Sequence, residues 1–232
     1  MDKVRINKFL ADCGVASRRG AERFILQGRV KVNGEVVTEM GTKVDPIKDK
    51  VTVNNKEISI KNEEPIVLML NKPTGYVCTT RSFRDEKSVL DLIRTDDRIY
   101  PVGRLDKNSS GLLLLTNDGD LALKLTHPRY EKEKEYEVEV QEAVEKDFLE
   151  TMRTGVSLED GITLPAQVKK LTDKTFSIIL KQGKKRQIRR MCGELGYRVR
   201  NLRRVRVNNL ELGDLPIGKY KELSEKEIEL LK

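Results

Sequence analysis

Four consecutive leucines, Leu112, Leu113, Leu114 and Leu115, stand between Gly111 and the turn-forming string Thr116-Asn117-Asp118-Gly119. A run that short has no room for helical periodicity, and its glycine and Asn-Asp flanks mark it as a buried strand. Whatever the chain folds into must therefore wrap a sheet around this segment. Further strands are readable nearby. Ile66 to Leu70 is a short apolar run, and Tyr136, Val138 and Val140 alternate with Glu135, Glu137 and Glu139, as on a half-buried strand. Phe176, Ile178 and Leu180 alternate in the same way, and Val199, Val205 and Val207 suggest more strand. Asp118 is placed to cap a helix running through Leu125, Ile188, Met191, Cys192 and Leu195 fall at helical spacing, and Ser224 can cap a terminal helix. Strands and helices mix without a β-α-β rhythm. The expected fold class is α+β, with a mixed, mainly antiparallel sheet.

The first sixty residues read differently. Ile6, Phe9, Leu10 and Cys13 form one helical stripe that Gly14 stops. Ser17 can cap a second helix with Ala21, Phe24 and Ile25 inward and Gly28 at its end. Val30-Lys31-Val32, Asn33-Gly34 and Glu35-Val36-Val37 spell a hairpin. Val51-Thr52-Val53 and Lys56-Glu57-Ile58, around Asn54-Asn55, suggest another strand pair. The polar segment 61–65, ending in Pro65, reads as a linker between domains at 1–60 and 66–232.

Charge is unevenly spread along the chain. The net charge is +8, but residues 181–206 hold eleven basic side chains against one acid, residues 1–60 carry a smaller excess of +4, and the middle is mildly acidic. Basic zones attract phosphate backbones, although many are no more than solvated surface. Other classes are excluded more firmly. Cys13, Cys78 and Cys192 lack metal-ligand spacing and read as reduced thiols of a cytoplasmic protein. With His127 as the sole histidine, no metal or small-molecule cofactor is expected, and a ribonuclease built on paired histidines is disfavoured. No stretch approaches the ~20 apolar residues that cross a bilayer, so no membrane association is expected.

The segment Gly103-Arg104-Leu105-Asp106-Lys107-Asn108-Ser109-Ser110-Gly111 sets an acid between glycines just before the leucine strand. From spacing alone, such an aspartate is a turn former. The longer pattern says more. Gly103-Arg104-Leu105-Asp106 with Gly111 to Gly119, Lys72-Pro73-Thr74-Gly75 upstream, and Glu133-Lys134-Glu135-Tyr136 and Gly183-Lys184-Lys185-Arg186-Gln187-Ile188-Arg189-Arg190-Met191 downstream together resemble the signature of the pseudouridine synthases that act on ribosomal RNA. Ser109 stands where many members of that family have threonine. Residues 2–60 resemble the small RNA-binding domain named after ribosomal small-subunit protein four.

These resemblances imply an enzyme that isomerises uridine within structured RNA, 23S ribosomal RNA foremost and transfer RNA as the alternative, acting as a monomer. They imply Asp106 as the catalytic carboxylate, either attacking the anomeric carbon or removing a ribose proton. Tyr136 would stack on the extruded base, and Arg189 would pair bidentately with Asp106. Ile188 would line the base pocket and Arg104 would meet the flipped nucleotide. Residue by residue, Tyr136 and Ile188 can equally be plain core, and Arg189 a phosphate contact. RNA contacts are expected from Arg5, Lys8, Ser17, Arg18, Arg19, Arg29 and Lys31 in the small domain, and from Lys184, Lys185, Arg186, Arg190, Arg200, Arg203 and Arg204 in the large one. A non-catalytic RNA-binding or ribosome-assembly factor is the rival reading, disfavoured because a pure binder has no use for Asp106.

Overall fold

The computed structural model describes residues 3–60, 65–80 and 85–232. The chain separates into two compact units, residues 1–64 and 65–232. Residues 61–64 of the expected linker lie outside the described residues.

In the first unit, α1 (Ile6–Asp12) and α2 (Arg18–Leu26) bury Ile6, Phe9, Leu10, Ala21 and Ile25. The stripe ends where expected, with Gly14 in the left-handed region, and Ser17 caps α2 by accepting from the Gly20 N–H at 3.1 Å. Strands β1 (Val30–Val32), β2 (Glu35–Val36), β3 (Val51–Val53) and β4 (Lys56–Ile58) form an antiparallel sheet in the order β2-β1-β3-β4. Both tight turns of this sheet put consecutive residues at positive φ, Asn33 with Gly34 and Asn54 with Asn55. Asparagine and glycine tolerate that conformation best, so the turn chemistry sets the register.

The second unit is built on one large sheet. Its strands are β5 (Val67–Lys72), β6 (Tyr100–Val102), β7 (Ser110–Thr116), β8 (Lys134–Val140), β9 (Gln167–Lys170), β10 (Thr175–Leu180), β11 (Val199–Val207), β12 (Leu210–Glu211) and β13 (Tyr220–Glu222). The order is β9-β10-β8-β11-β7-β5-β13, with β6 beside β7 and β12 beside β11. Every pairing is antiparallel except β7 with β11, where Ser110 meets Arg203 and Gly111 meets Arg204. Helices α3 (Gly119–Thr126), α4 (Lys146–Thr154), α5 (Gln187–Glu194) and α6 (Glu225–Glu229) complete the unit. The mainly antiparallel α+β architecture expected from the sequence is the one observed.

The leucine run explains itself in this setting. Successive side chains of a strand point to opposite faces. Leu112 and Leu114 join Val67, Met69 and Val102 in one core, whereas Leu113 and Leu115 join Leu68, Leu70 and Val89 in another. A third core lies around β8 and β10, where Phe176, Ile178 and Val138 pack against Phe148 and Met152 of α4 and Ile188, Met191 and Cys192 of α5. All seven residues of β7 are buried.

The seam between β7 and β11 is unusually close. A Cβ on Gly111 would lie 2.2 Å from the Arg204 carbonyl oxygen and 2.7 Å from its nitrogen, and Gly111 itself sits at φ +102°. No other L-residue satisfies both conditions. Gly111→Ala is therefore expected to destabilise the protein by roughly 3 kcal/mol or more, since strain and a backbone clash act together. Gly193→Ala, on α5 with open space at the Cβ, should be neutral or stabilise by about 0.5–1 kcal/mol. Urea denaturation of the two variants checks both, and a Gly111→Ala protein as stable as wild type would refute the account of the seam.

Candidate active site

A cleft of about 350 Å³ opens in the second unit. The loop between β6 and β7 forms one wall with Gly103, Arg104, Leu105, Asp106 and Ser109. Tyr136 and Lys134 enter from β8, Leu202 and Arg204 from β11, and Ile188 from α5. The stretch Lys181 to Gln187 completes the rim. Residues far apart in sequence thus converge on one space, and Asp106, Tyr136, Arg104 and Ile188, singled out from the sequence, are among them.

The loop that carries Asp106 is held from behind. Lys72 ends β5 with its side chain wholly buried, and its ammonium donates to the carbonyls of Pro73 (2.9 Å), Asp106 (3.2 Å) and Ser109 (2.7 Å). Burial pushes the Lys72 pKa down, opposed by the nearby Cys78 and Asp106. Leu105 anchors the loop in the core, and its N–H and carbonyl both meet the Cys78 sulfur at 3.3 Å. The Gly75 N–H donates to the Lys107 carbonyl at 2.8 Å, and the Ser109 N–H closes a turn on the Asp106 carbonyl at 3.0 Å. The backbone of Asp106 is thus fixed, while its half-buried carboxylate takes no hydrogen bond or ion pair from any described residue. The aspartate is not the self-bonding turn former that spacing alone suggests.

Arg189 does not pair with Asp106. Its guanidinium donates to the carbonyls of Asn108 (2.6 Å) and Val199 (3.2 Å). It therefore braces the loop two residues beyond the carboxylate rather than meeting the carboxylate itself. Burial, then the Arg186 charge, lower its pKa, and Asp106 pulls the other way. Tyr136 is half-buried and packs against two of the cores, opposite Ile178 on one side and Arg204 on the other. Lys134 lies nearby, its pKa pushed down to about 8 by burial first and by the Arg204 and Lys132 charges next.

The basic residues fall into distinct groups. Arg204 is only 4 % exposed and donates to the Leu112 carbonyl at 2.7 Å, so it belongs to the interior of the cleft rather than to an open phosphate-binding face. Arg200 and Arg203 reach Glu139 and Glu137 across the β8–β11 ladder at 3.6 and 3.9 Å, and Arg206 holds Glu135 at 2.7 Å. Lys184 donates to the carbonyls of Asp160 and Gly161, and Arg190 pairs with the Asp160 carboxylate. Lys185 and Arg186 are exposed at the rim with no side-chain hydrogen bond or ion pair to the described residues. In the first unit Arg5, Arg18 and Arg19 are exposed. Lys8 pairs with Asp12 at 3.7 Å, Arg29 donates to Asn54 and Gln27 and stacks on Phe24, and Lys31 donates to Asn55.

No role is read from the sequence for Lys72, Cys78, Lys134 or Gln182. Signals for two of them exist: Lys72 and Lys134 both stand within the motifs that carry the family resemblance, and Lys72 closes a strand that opens with the apolar run Val67-Leu68-Met69-Leu70, where a buried charge needs partners. Among the described residues, no group of three or more His, Cys, Asp or Glu side chains is arranged to hold a metal ion, and no helix is long and apolar enough to cross a membrane.

Comparison with known proteins accords with this arrangement. Residues 66–194 match the RNA pseudouridylate synthase family, and residues 4–46 match the S4 domain. The chain is 41% identical over 97% of its length to the dual-specificity RNA pseudouridine synthase RluF of Escherichia coli K12, covering 77% of that protein. It is 42% identical over 98% of its length to the ribosomal large subunit pseudouridine synthase B of Bacillus subtilis 168, covering 95% of that protein. A crystal structure of a pseudouridylate synthase superposes with a TM-score of 0.74 at 30% identity, spanning 99% of this chain and all of the other. With a cleft lined by Asp106 and Tyr136, a family match over most of the large unit and relatives above 40% identity over nearly all of this chain, the protein belongs to the RNA pseudouridine synthase family and carries an S4 domain ahead of its catalytic unit.

Proposed function

We propose that the protein converts uridine to pseudouridine in ribosomal RNA of the large subunit, with Asp106 as the reacting carboxylate. The observation that carries this reading is the state of Asp106: its backbone is pinned by Lys72 while its carboxylate, at the cleft wall, has no hydrogen bond or ion pair among the described residues. A structural aspartate would be hydrogen-bonded. A carboxylate held still and left free is preorganised for a ligand. The isomerisation breaks the bond between ribose C1′ and base N1 and joins C1′ to C5; C5 loses a proton and N1 gains one, so it needs no electron acceptor or group donor. Attack on C1′ and removal of a ribose proton both require an ionised carboxylate beside the sugar. Tyr136 offers a ring for stacking on the extruded base, Ile188 an apolar wall, and Arg104, exposed at the cleft, a cation for the nucleotide's phosphate. The choice of large-subunit RNA rests on the name of the Bacillus subtilis relative, a ribosomal large subunit pseudouridine synthase.

Asp106→Asn should reduce isomerisation by at least about 10²–10⁴-fold while leaving RNA affinity within a few-fold. The measurement is pseudouridine mapping of ribosomal RNA incubated with each protein, beside a binding titration. Turnover by Asp106→Asn near the wild-type rate would remove Asp106 from the mechanism, and modification confined to transfer RNA would shift the substrate.

The free and the paired cations should behave differently toward salt. Lys185→Met should flatten the log–log dependence of RNA affinity on salt by about 0.7–0.9, the effect of one lost phosphate contact. Arg203→Met, which removes a cation already facing Glu137, should change the slope less. Arg189→Met should lower turnover with little change in slope, because its donors serve the carbonyls of Asn108 and Val199. Equal slope changes in all three variants would show that the pairing seen in the structure does not persist on RNA.

The pH dependence follows from Lys134. Its pKa in the free protein lies near 8, below the ordinary 10.5. A polyanion in the cleft favours the charged form and raises that pKa, so binding takes up a proton above pH 8 and affinity falls as pH rises through that region. Titrations between pH 7 and pH 9.5 should show the fall in wild type and its absence in Lys134→Met.

A further inference from the structure

Two side chains lining the cleft bury polar atoms that have no hydrogen-bond partner among the described residues, Ser109 Oγ and Gln182 Nε2. Native structures contain few such atoms, because a buried donor left unpaired forfeits its hydrogen bond to water without replacement. Asn71 Oδ1 and Arg189 Nε are likewise unpartnered but do not line the cleft, whereas Ser109 and Gln182 stand where a ligand with polar edges can satisfy them. They occupy different places. Ser109 lies three residues beyond Asp106 and belongs with the carboxylate. Gln182 follows the end of β10 and leads through Gly183 into α5, on the stretch that also brings Ile188 to the cleft.

The surroundings of Gln182 narrow its role. Lys181, Lys184, Lys185 and Arg186 around it are cations suited to phosphates. Gln182 is neutral, and its amide carries both a donor and an acceptor at one end. The segment is not free to rearrange around an empty hydrogen bond. The Lys184 N–H donates to Gln187 Oε1 at 3.1 Å, and the Lys184 ammonium is tied to the carbonyls of Asp160 and Gly161 at 2.9 and 3.0 Å. Gln182 therefore stands on a loop braced just beyond it.

We propose that Gln182 reads the uracil base in the cleft, its side-chain amide pairing with the imide edge. Nε2 donates to a ring carbonyl oxygen, and the N3–H of the base donates to Oε1, so both amide atoms and two edge groups of the base are satisfied together. A neutral base with an adjacent carbonyl and N–H is the ligand chemistry that fits. This assignment rests on reading the cleft as the uridine site, as proposed above.

The test uses the full-length protein and a stem-loop RNA carrying a uridine that mapping identifies as modified. The same stem-loop is prepared with 2-thiouridine or 4-thiouridine at that position, since sulfur accepts hydrogen bonds poorly. Gln182→Met keeps the side-chain length and removes the amide. It should lower kcat/KM on uridine about ten- to a hundred-fold, with the melting temperature within about 2 °C of wild type. Wild type should disfavour one of the thio bases, and Gln182→Met should lose that discrimination. Any intrinsic effect of sulfur on the chemistry is common to both proteins, so the ratio of ratios isolates the contact. If Gln182→Met does not fold, Gln182→Glu keeps the shape and removes the donor, and the same loss of discrimination is expected. An active wild type whose ratios are unchanged by either substitution would overturn the assignment of Gln182 alone. A wild type inactive on every RNA would overturn the proposed function and this assignment with it.

Discussion

At the seam where β7 meets β11, the Gly111 backbone lies so close to Arg204 that a Cβ there would fall 2.2 Å from a carbonyl oxygen. The Arg204 guanidinium turns back and donates to the Leu112 carbonyl. This contact joins the part of the sheet built on β5 and β7 to the part built on β8, β10 and β11. The cleft draws on both. Asp106 and Ser109 arrive on the loop that leads into β7, and Tyr136, Ile188 and Leu202 arrive from the other side. Widening the seam by the thickness of one methyl group would move the carboxylate away from the tyrosine, and geometry at an active site tolerates little error.

Lys72 does for the loop what Gly111 does for the sheet. An ammonium taken wholly out of water is costly unless its protons are bonded. Here three carbonyls accept them, two of them within the loop that holds Asp106. The same group adds positive charge near the carboxylate without binding it. Rigidity of the backbone and freedom of the side chain are thereby separated, with the Cys78 sulfur and Arg189 adding braces on either side of Asp106.

The charge pattern of the chain is largely resolved within the fold. The acidic alternation of β8 and the basic alternation of β11 are read in sequence as separate zones, yet in the antiparallel ladder they face each other, and Arg200, Arg203 and Arg206 each reach a glutamate. Opposite charges directly across a ladder support the pairing. Lys185 and Arg186, exposed at the cleft rim without a side-chain partner among the described residues, are then among the cations open to a phosphate backbone. Sequence excess of charge overstates the basic surface, because neutralisation depends on which strands become neighbours.

How much was legible from the residues follows the range of the forces involved. Local chemistry fixed the elements. Asn33-Gly34 and Ser17 set a turn and a cap through bonds within a few residues, and the leucine run declared a strand by its length and flanks. The motif around Asp106 declared the family. The short strand β9, with Val168 as its one buried residue, carries a weak local signal and emerges through packing against the core around Phe176, whereas helix α4 lacks a capping side-chain bond at its start but carries a helical stripe in Phe148, Leu149 and Met152. What tertiary structure alone decided is which side chains meet. Sequence motif placed Arg189 beside Asp106, but the fold gives its donors to the carbonyls of Asn108 and Val199. Spacing treated Arg203 and Arg204 alike, but one faces a glutamate and the other is buried against the Leu112 carbonyl. Adjacent residues of a strand point to opposite faces, and the environment of each face is made by segments that can lie far off in sequence, as where Tyr220 pairs with Leu70. A propensity is a property of neighbours along the chain, whereas a hydrogen bond between Arg204 and Leu112 exists only once the sheet has brought them together.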